Sequence, residues 1–261
     1  MSGLVVKEVS KKEFFHIENN KKLKFIQNGG VYIVKNYLSE ENIQLLRKNM
    51  NNIGNTTEPS WHELKDGCPD YHRKVDNYEK AYVKARTHTF LFHLWYEHNQ
   101  YLIDIFEDIF NMKKEMLNYE NLDYLKNVPS NGFISRVVIH HYPRGGGYME
   151  EHTDPVNPYT PIQTIIKASK TGKDFTTGGV YIRDPKTNEK VFAEPFFDYG
   201  DMIVFDQGLL HGVDPIDETA ELNWSLEDGR FLIIPITVRS DYIKDKADNP
   251  KGISHEQSYY A

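Results

Sequence analysis

The sequence predicts an α+β chain, with N-terminal helices packed outside a barrel or sandwich of short antiparallel strands. Two observations predict it. After about residue 130, short runs rich in β-branched and aromatic residues alternate with turn signals. Before that point, longer stretches repeat their apolar residues at helical spacing. No Pro/Ser-rich linker separates the halves, so residues 1–261 are expected to form one domain. Within it, 1–129 would be mainly helical support with one strand, 130–240 the barrel core, and 241–261 a polar tail.

In chain order, "VYIVKNY" (31–37) reads as a strand. Ser39 then suits an N-cap, Glu40 and Glu41 suit a first helical turn, and Leu38 can staple to Ile43. Ile43, Leu46 and Met50 share one helical face. Residues 51–80 are polar and broken by Gly, Pro and Asn, which predicts mostly loop. A helical pattern runs from about Thr89 to Leu117, with Leu91, Leu94, Trp95, Leu102, Ile105, Phe106, Ile109 and Met112 on its apolar face. The expected barrel strands are "FISRVVIHHY", "IQTIIKAS", "GGVYIRD", "KVFAEPF", "DMIVFD" and "RFLIIPITV", with turns at "DPKTNEK" and "DYGD".

Composition narrows the function classes. The 31 basic and 38 acidic residues leave a net charge of −7, which argues against nucleic acid or an anionic membrane as partner. One cysteine, Cys68, excludes an intrachain disulfide and fits a reducing compartment. No run approaches the ~20 apolar residues that a bilayer span needs, and the first residues lack a signal-peptide core. The expectation is a soluble, cytoplasmic protein.

The chemistry concentrates in "HHYPRGGGYMEEHTDP" (140–155) and "YGDMIVFDQGLLHGVDPI" (199–216). In a strand, residues i and i+2 share a face, so His152 and Asp154 can meet one divalent ion. His-x-Asp alone is weak, since on the order of one is expected by chance in a chain of this composition. His211 follows a buried strand, 57 residues after Asp154 (211 − 154), and can complete a set of two histidines and one carboxylate. Such a set leaves open coordination positions, as in non-heme Fe(II) oxygenases. A loop histidine bonding a turn is the plain alternative for His211. Arg230 opens the strand "RFLIIPITV", where a planar fork pointing into the barrel can take a carboxylate bidentately. Arg239, at odd spacing from it, should face the other side.

Taken together, these residues resemble the 2-oxoglutarate/Fe(II)-dependent oxygenases, especially those related to prolyl hydroxylases. The family pattern Tyr-x-x-Gly-x-x-Tyr-x-x-His-x-Asp reads here Tyr142, Gly145, Tyr148, His152, Asp154, with one extra residue between Tyr148 and His152. Gly178-Gly179, Gly200-Asp201, His211 and Gly229-Arg230 follow in order, so the resemblance covers roughly residues 130–240. Arg230 lies 19 residues after His211, where many relatives have about ten, and segment 217–228 reads as an insertion.

The resemblance implies a distorted double-stranded β-helix, a jelly-roll or cupin-like barrel. It implies Fe(II) on His152, Asp154 and His211, with 2-oxoglutarate and O2 as co-substrates and succinate and CO2 as co-products. It implies Arg230 on the distal carboxylate of 2-oxoglutarate, with Tyr142 and Lys167 as further co-substrate contacts. Tyr142 would lie on the inner face with His140, Val138 and Arg136, and His141 on the other. The three glycines would form the tight loop into the metal-ligand strand; no helix signal follows them, so a phosphate cradle is not expected. Asp154 speaks against halogenation, because halogenating relatives carry a small residue there.

For the substrate, Arg136, His140 and Tyr148 are candidate contacts, and Trp224 would shape a pocket if 217–228 lies at the site mouth. The expectation is hydroxylation of a small molecule such as an amino acid. The competing readings are a peptidyl hydroxylase, a cupin-like metalloenzyme without 2-oxoglutarate, and a ligand-binding barrel without turnover.

Overall fold

The strands of the C-terminal half are apolar on both faces, so both faces need cover. In the computed structural model, which describes residues 3–77, 83–117, 125–154 and 161–243, a second sheet covers one face and helices the other. The strands are β1 (Val5–Ser10), β2 (Gly30–Lys35), β3 (Tyr71–Asp76), β4 (Ala85–His93), β5 (Phe133–Tyr142), β6 (Gly147–His152), β7 (Gln163–Lys167), β8 (Gly179–Arg183), β9 (Lys190–Phe192), β10 (Met202–Phe205), β11 (His211–Ile216) and β12 (Arg230–Arg239). The helices are α1 (Lys11–His16), α2 (Asn19–Gln27), α3 (Glu40–Thr56) and α4 (Gln100–Met116).

The larger sheet runs β1-β2-β10-β7-β12-β5-β4, with β3 on the far side of β4; the smaller runs β6-β11-β8-β9. β4 joins them, pairing through His88–His93 with β5 and through Ala85 and Arg86 with β6. This is the double-stranded β-helix that the family resemblance implies. Alternation along each strand sorts the cores. Val31, Ile33, Val138, Ile165, Val180, Ile203, Val213, Leu232 and Ile234 fill the space between the sheets. Tyr32, Val34, Phe90, Ile139, Ile166, Phe231 and Ile233 face outward, onto Ile43, Leu46 and Met50 of α3 and Leu102, Phe106 and Ile109 of α4. Among the described residues no helix is long and apolar enough to cross a membrane.

Several expectations need correction. The N-terminal 129 residues contribute four strands, not one. β1 and β2 extend the larger sheet beside β10, and β3 and β4 extend its other side. The helical pattern from Thr89 is half strand: β4 ends at His93, and α4 starts at Gln100 after a 3-10 turn at Glu97–Asn99. Thr87, Thr89, Phe90 and Phe92 are strand formers, and six consecutive pairings to β5 outweigh the chance helical spacing of Leu91 and Leu94. Segment 51–80 is also less of a loop than expected. α3 continues to Thr56 because Ile53 packs on the outer core, and β3 pairs with β4. The "DYGD" turn is held by the buried Asp201 carboxylate, which accepts from Lys35 Nζ, the Asn36 amide and the Asp198 amide. Of the polar tail, only the part up to 243 lies within the described residues.

A chain of buried histidines joins α3 to the larger sheet. His72 Nδ1 lies 2.7 Å from His88 Nε2, and His72 Nε2 lies 3.0 Å from the Thr57 carbonyl. His141 Nε2 donates to the Asp228 carbonyl at 2.9 Å, with its ring stacked on Phe231. Burial, then repulsion from His72, His141 and Lys74, pushes His88 down to about 2. Burial pushes His141 down to about 3 against its bond to Asp228. In an unfolded chain both take a proton near pH ~6.5. The unfolded state therefore binds more protons below that pH, and stability falls from about pH 6.5 toward about pH 3. The melting temperature should drop steadily on acidification across that window, and His141→Gln should melt with a shallower pH slope than the parent.

Candidate metal centre

β6 and β11 pair in a register that sets His211 directly opposite His152. Between His211 and Val213 on β11 the partner residues on β6 run from His152 to Met149, so three steps oppose two. This bulge absorbs the extra residue between Tyr148 and His152 and turns Met149 and His152 to the same side. Tyr148 consequently leaves the interior: its hydroxyl donates to Asn77 Oδ1 at 2.5 Å, at the seam with β4. It is not beside the metal ligands, contrary to its expected substrate contact.

The ligand atoms of His152, Asp154 and His211 all lie within 4.8 Å of one another. His152 Nε2 is 3.7 Å from Asp154 Oδ1, and His211 Nε2 is 3.6 Å from Asp154 Oδ2. Each imidazole is oriented from behind. Nδ1 of His152 donates to the Glu150 carbonyl at 2.8 Å, and Nδ1 of His211 donates to the Leu209 carbonyl at 2.9 Å. Both Nε2 lone pairs are thereby directed to the shared point. Gln163 Nε2 donates to Asp154 Oδ2 at 2.5 Å, while Gln163 Oε1 accepts from the Thr164 amide. Two imidazoles and one carboxylate on one side of a point suit a divalent ion that keeps part of its coordination sphere open. Gln163 escaped the sequence reading, although its parity with Lys167 on β7 puts it on the inner face.

At the other end of the same interior lies a second polar group. Arg230, fully buried, pairs in register with Tyr142. Its Nε donates to Glu194 Oε1 at 2.7 Å. Lys167 Nζ lies 2.6 Å from Glu194 Oε2 and donates to Thr171 Oγ1 and the Phe197 carbonyl. Arg230 Nη1 and Nη2 have no hydrogen-bond partner among the described residues, although Nη2 lies 2.5 Å from Glu194 Oε1. The Tyr142 hydroxyl is buried, with a weak contact to Met149 Sδ at 3.9 Å among the described residues. Burial raises the Tyr142 pKa; Arg230 opposes that shift and Asp154 adds to it, so the phenol stands within the field of both ends. Glu194 was not foreseen; a lone glutamate between apolar residues in "FAEPF" was the available signal.

His140 and Arg136 share the inner face of β5 with Tyr142, and His141 faces the outer core, as parity requires. Thr89 Oγ1 is 3.0 Å from His140 Nδ1. Burial, then Arg73, His152 and Arg136, pushes His140 down to about 3, so it is neutral beside the triad. The insertion 217–228 is not at the metal end. It links the end of β11 to the start of β12, where Asn223 bridges Arg144 and the Leu222 backbone packs on Gly145. A Cβ on Gly145 would lie 2.4 Å from Leu222 Cα, and its φ of +82° favours glycine. The glycine run thus serves the insertion as well as the turn. Trp224 lies over Lys74 Nζ at 5.8 Å, on the Arg230 side of the barrel, and does not line the metal site.

Solved structures of the same fold are known at low sequence identity. A Pseudomonas putida prolyl-4-hydroxylase matches 85% of this chain and 98% of its own at 11% identity and TM-score 0.51. A full-length Neurospora crassa protein in complex with alpha-KG matches 100% of this chain and 93% of its own at 12% identity and TM-score 0.52. A Trichoplax adhaerens prolyl hydroxylase, in complex with a hypoxia inducible factor oxygen degradation domain peptide fragment, matches 89% and 93% at 13% identity and TM-score 0.50. No protein-family model and no curated protein matches the sequence.

His152→Ala or His211→Ala should abolish Mn(II) binding measured by electron paramagnetic resonance. Gln163→Leu should weaken it by roughly 10–100-fold, the usual effect of losing a group that orients a ligand.

Proposed function

We propose that this chain is an Fe(II)- and 2-oxoglutarate-dependent oxygenase that hydroxylates an unactivated C–H bond of a small molecule. The observation that carries the reading is the pairing of two features in one barrel interior. One is a triad with an open side; the other is a buried arginine with unsatisfied N–H groups. Buried N–H groups left without a hydrogen bond are costly, and a carboxylate is the acceptor that the open edge of the Arg230 fork fits. Arg230 and Lys167 bring two positive charges and Glu194 one negative, so the group is short of one anion. A molecule with a keto acid at one end and a carboxylate at the other suits both ends of the interior. The shared fold supports the reading, and the Neurospora crassa structure is itself a complex with alpha-KG.

The residues divide the work. His152, Asp154 and His211 would hold the iron, and Gln163 would fix the Asp154 carboxylate. When bound, iron with 2-oxoglutarate supplies the oxidising chemistry: O2 and 2-oxoglutarate become succinate and CO2 as one oxygen atom enters the substrate C–H bond. Arg230 would take the distal carboxylate and the Tyr142 hydroxyl would donate to the co-substrate between the ends. His140, neutral and bonded to Thr89, presents a polar group beside the triad, and Arg136 lies further along the same face of β5. They suit a small substrate with a carboxylate, such as a free amino acid. Asp154 fills the position that a halide would need, which favours hydroxylation.

One observation favours a second reading. Glu194 already places a carboxylate on Arg230, as expected of a metalloenzyme that does not use 2-oxoglutarate. Anaerobic titration with Fe(II) and 2-oxoglutarate separates the two. A visible charge-transfer band that needs both additions and vanishes in His152→Ala is expected. Arg230→Ala should weaken 2-oxoglutarate binding about 100-fold while iron is retained. Iron bound with no effect of 2-oxoglutarate on spectrum or melting temperature, in the parent and in Glu194→Gln alike, would establish the second reading instead. A screen of amino acids for a shift of the band would then test the substrate class.

A further inference from the structure

Glu194 lies in a cradle built for it. Its side chain is 10% exposed. Oε1 accepts from Arg230 Nε at 2.7 Å and from the Val180 amide at 3.1 Å, and Oε2 faces Lys167 Nζ at 2.6 Å. Gly179 makes the room: a Cβ there would lie 2.3 Å from Glu194 Cγ. Burial raises the Glu194 pKa, but Arg230 and Lys167 outweigh it and hold the carboxyl below its ordinary value. The group is therefore an anion at working pH.

A guanidinium offers carboxylates two edges: a side edge, Nε with Nη2, and an end edge, Nη1 with Nη2. Glu194 takes the side edge through Nε, with Nη2 also close to the same oxygen. The end edge, which includes the unpartnered Nη1, remains. A second carboxylate on that edge would be held by the same guanidinium and repelled by the first across a few ångströms of protein interior. Repulsion between buried like charges at such separations is large on the scale of binding free energies.

We propose that Glu194 is a built-in competitor for the distal carboxylate of the co-substrate, lowering the affinity of the Arg230–Lys167 subsite for that carboxylate. This rests on the 2-oxoglutarate reading above. Glu194 reduces the charge of the subsite from +2 to +1, which makes the site neutral once one ligand carboxylate has bound. It also stabilises the ligand-free protein, since the two buried cations would otherwise face each other without an anion. The consequence is weak co-substrate binding, so that occupancy follows the supply of 2-oxoglutarate.

The test compares the Mn(II)-loaded full chain and its Glu194→Gln variant without oxygen, titrated with 2-oxoglutarate and with pyruvate. Pyruvate shares the keto acid and lacks the distal carboxylate. Binding is read from the ligand-induced shift in melting temperature and by calorimetry. Glu194→Gln should bind 2-oxoglutarate on the order of tenfold tighter, with pyruvate unchanged and with a lower melting temperature when ligand-free. Glu194→Asp keeps the charge needed for folding but withdraws it from Arg230, and should shift 2-oxoglutarate affinity the same way by a smaller factor. It serves alone if the glutamine variant does not fold. Weaker or unchanged 2-oxoglutarate binding, or equal changes for both acids, would overturn the proposal. Parent protein that ignores 2-oxoglutarate beside a variant that binds it would support the competitor in its strongest form. Metal-loaded parent and variants that all ignore 2-oxoglutarate would overturn the co-substrate reading, and the proposal with it.

Discussion

The register of β6 against β11 is the constraint on which the site depends. Strand side chains alternate, so a slip of one residue would turn His211 away from His152 and move the apolar partners of β11 out of the interior. The bulge at Met149–His152 is part of that register. Without it, Met149 and His152, three residues apart, would face opposite sides, and either the apolar packing or the ligand would be lost. The pairing of His211 with Ile182 on β8 holds the other flank of β11. The candidate metal centre is thus fixed by ordinary sheet hydrogen bonds, and the imidazoles only need their Nδ1 bonds to backbone carbonyls to be aimed.

Strand direction gives the interior two ends. Gln163 starts β7 beside Asp154, and Lys167 ends it beside Glu194. Four residues of strand separate them by roughly 13 Å, and even spacing keeps both on the inner face. β12 begins at Arg230 at the far end, paired with Tyr142, where β5 finishes. Long inward side chains shorten the gap from both ends. The barrel interior therefore carries polar groups at both ends, with Val138 and Ile165 among the apolar residues between the sheets.

The C-terminal strands were readable from sequence because their β-branched runs are bounded by turn residues, and "FISRVVIHHY" became β5 over its whole length. The triad was readable from the His-x-Asp spacing, in which His152 ends β6 and Asp154 follows two residues on, and from the family pattern around it; β11, which His211 opens, is not among the expected strands. The N-terminal strands were hidden. β1 exposes four of its first residues and shows no apolar alternation, and β4 runs into a helix with only a short 3-10 turn between. The misplacement of Trp224 has a topological cause: an insertion between β11 and β12 must lie where those strands meet, and that end is set by strand direction, not by proximity in sequence to His211. Tyr148 failed through the bulge, which changed parity after a motif that otherwise aligned. Glu194 could not be read because nothing local says that a carboxylate in a short connection folds back under two cations from distant strands.

Those two cations also explain why the far end is polar at all. Burying a guanidinium and an ammonium costs several kcal/mol each even after relaxation, and one carboxylate repays only part of it. Burial pushes the Lys167 pKa down, and Glu194 restores it only in part, so the group is strained toward losing charge. A barrel evolved for stability alone would place apolar residues here, as it does at Ile165 and Leu232 in the layer above. An interior left one anion short is unstable in a specific way: it gains stability from whatever anion fills it, in proportion to the logarithm of ligand concentration over its dissociation constant. On the 2-oxoglutarate reading proposed above, the unsatisfied N–H groups of Arg230 are half of a binding interaction.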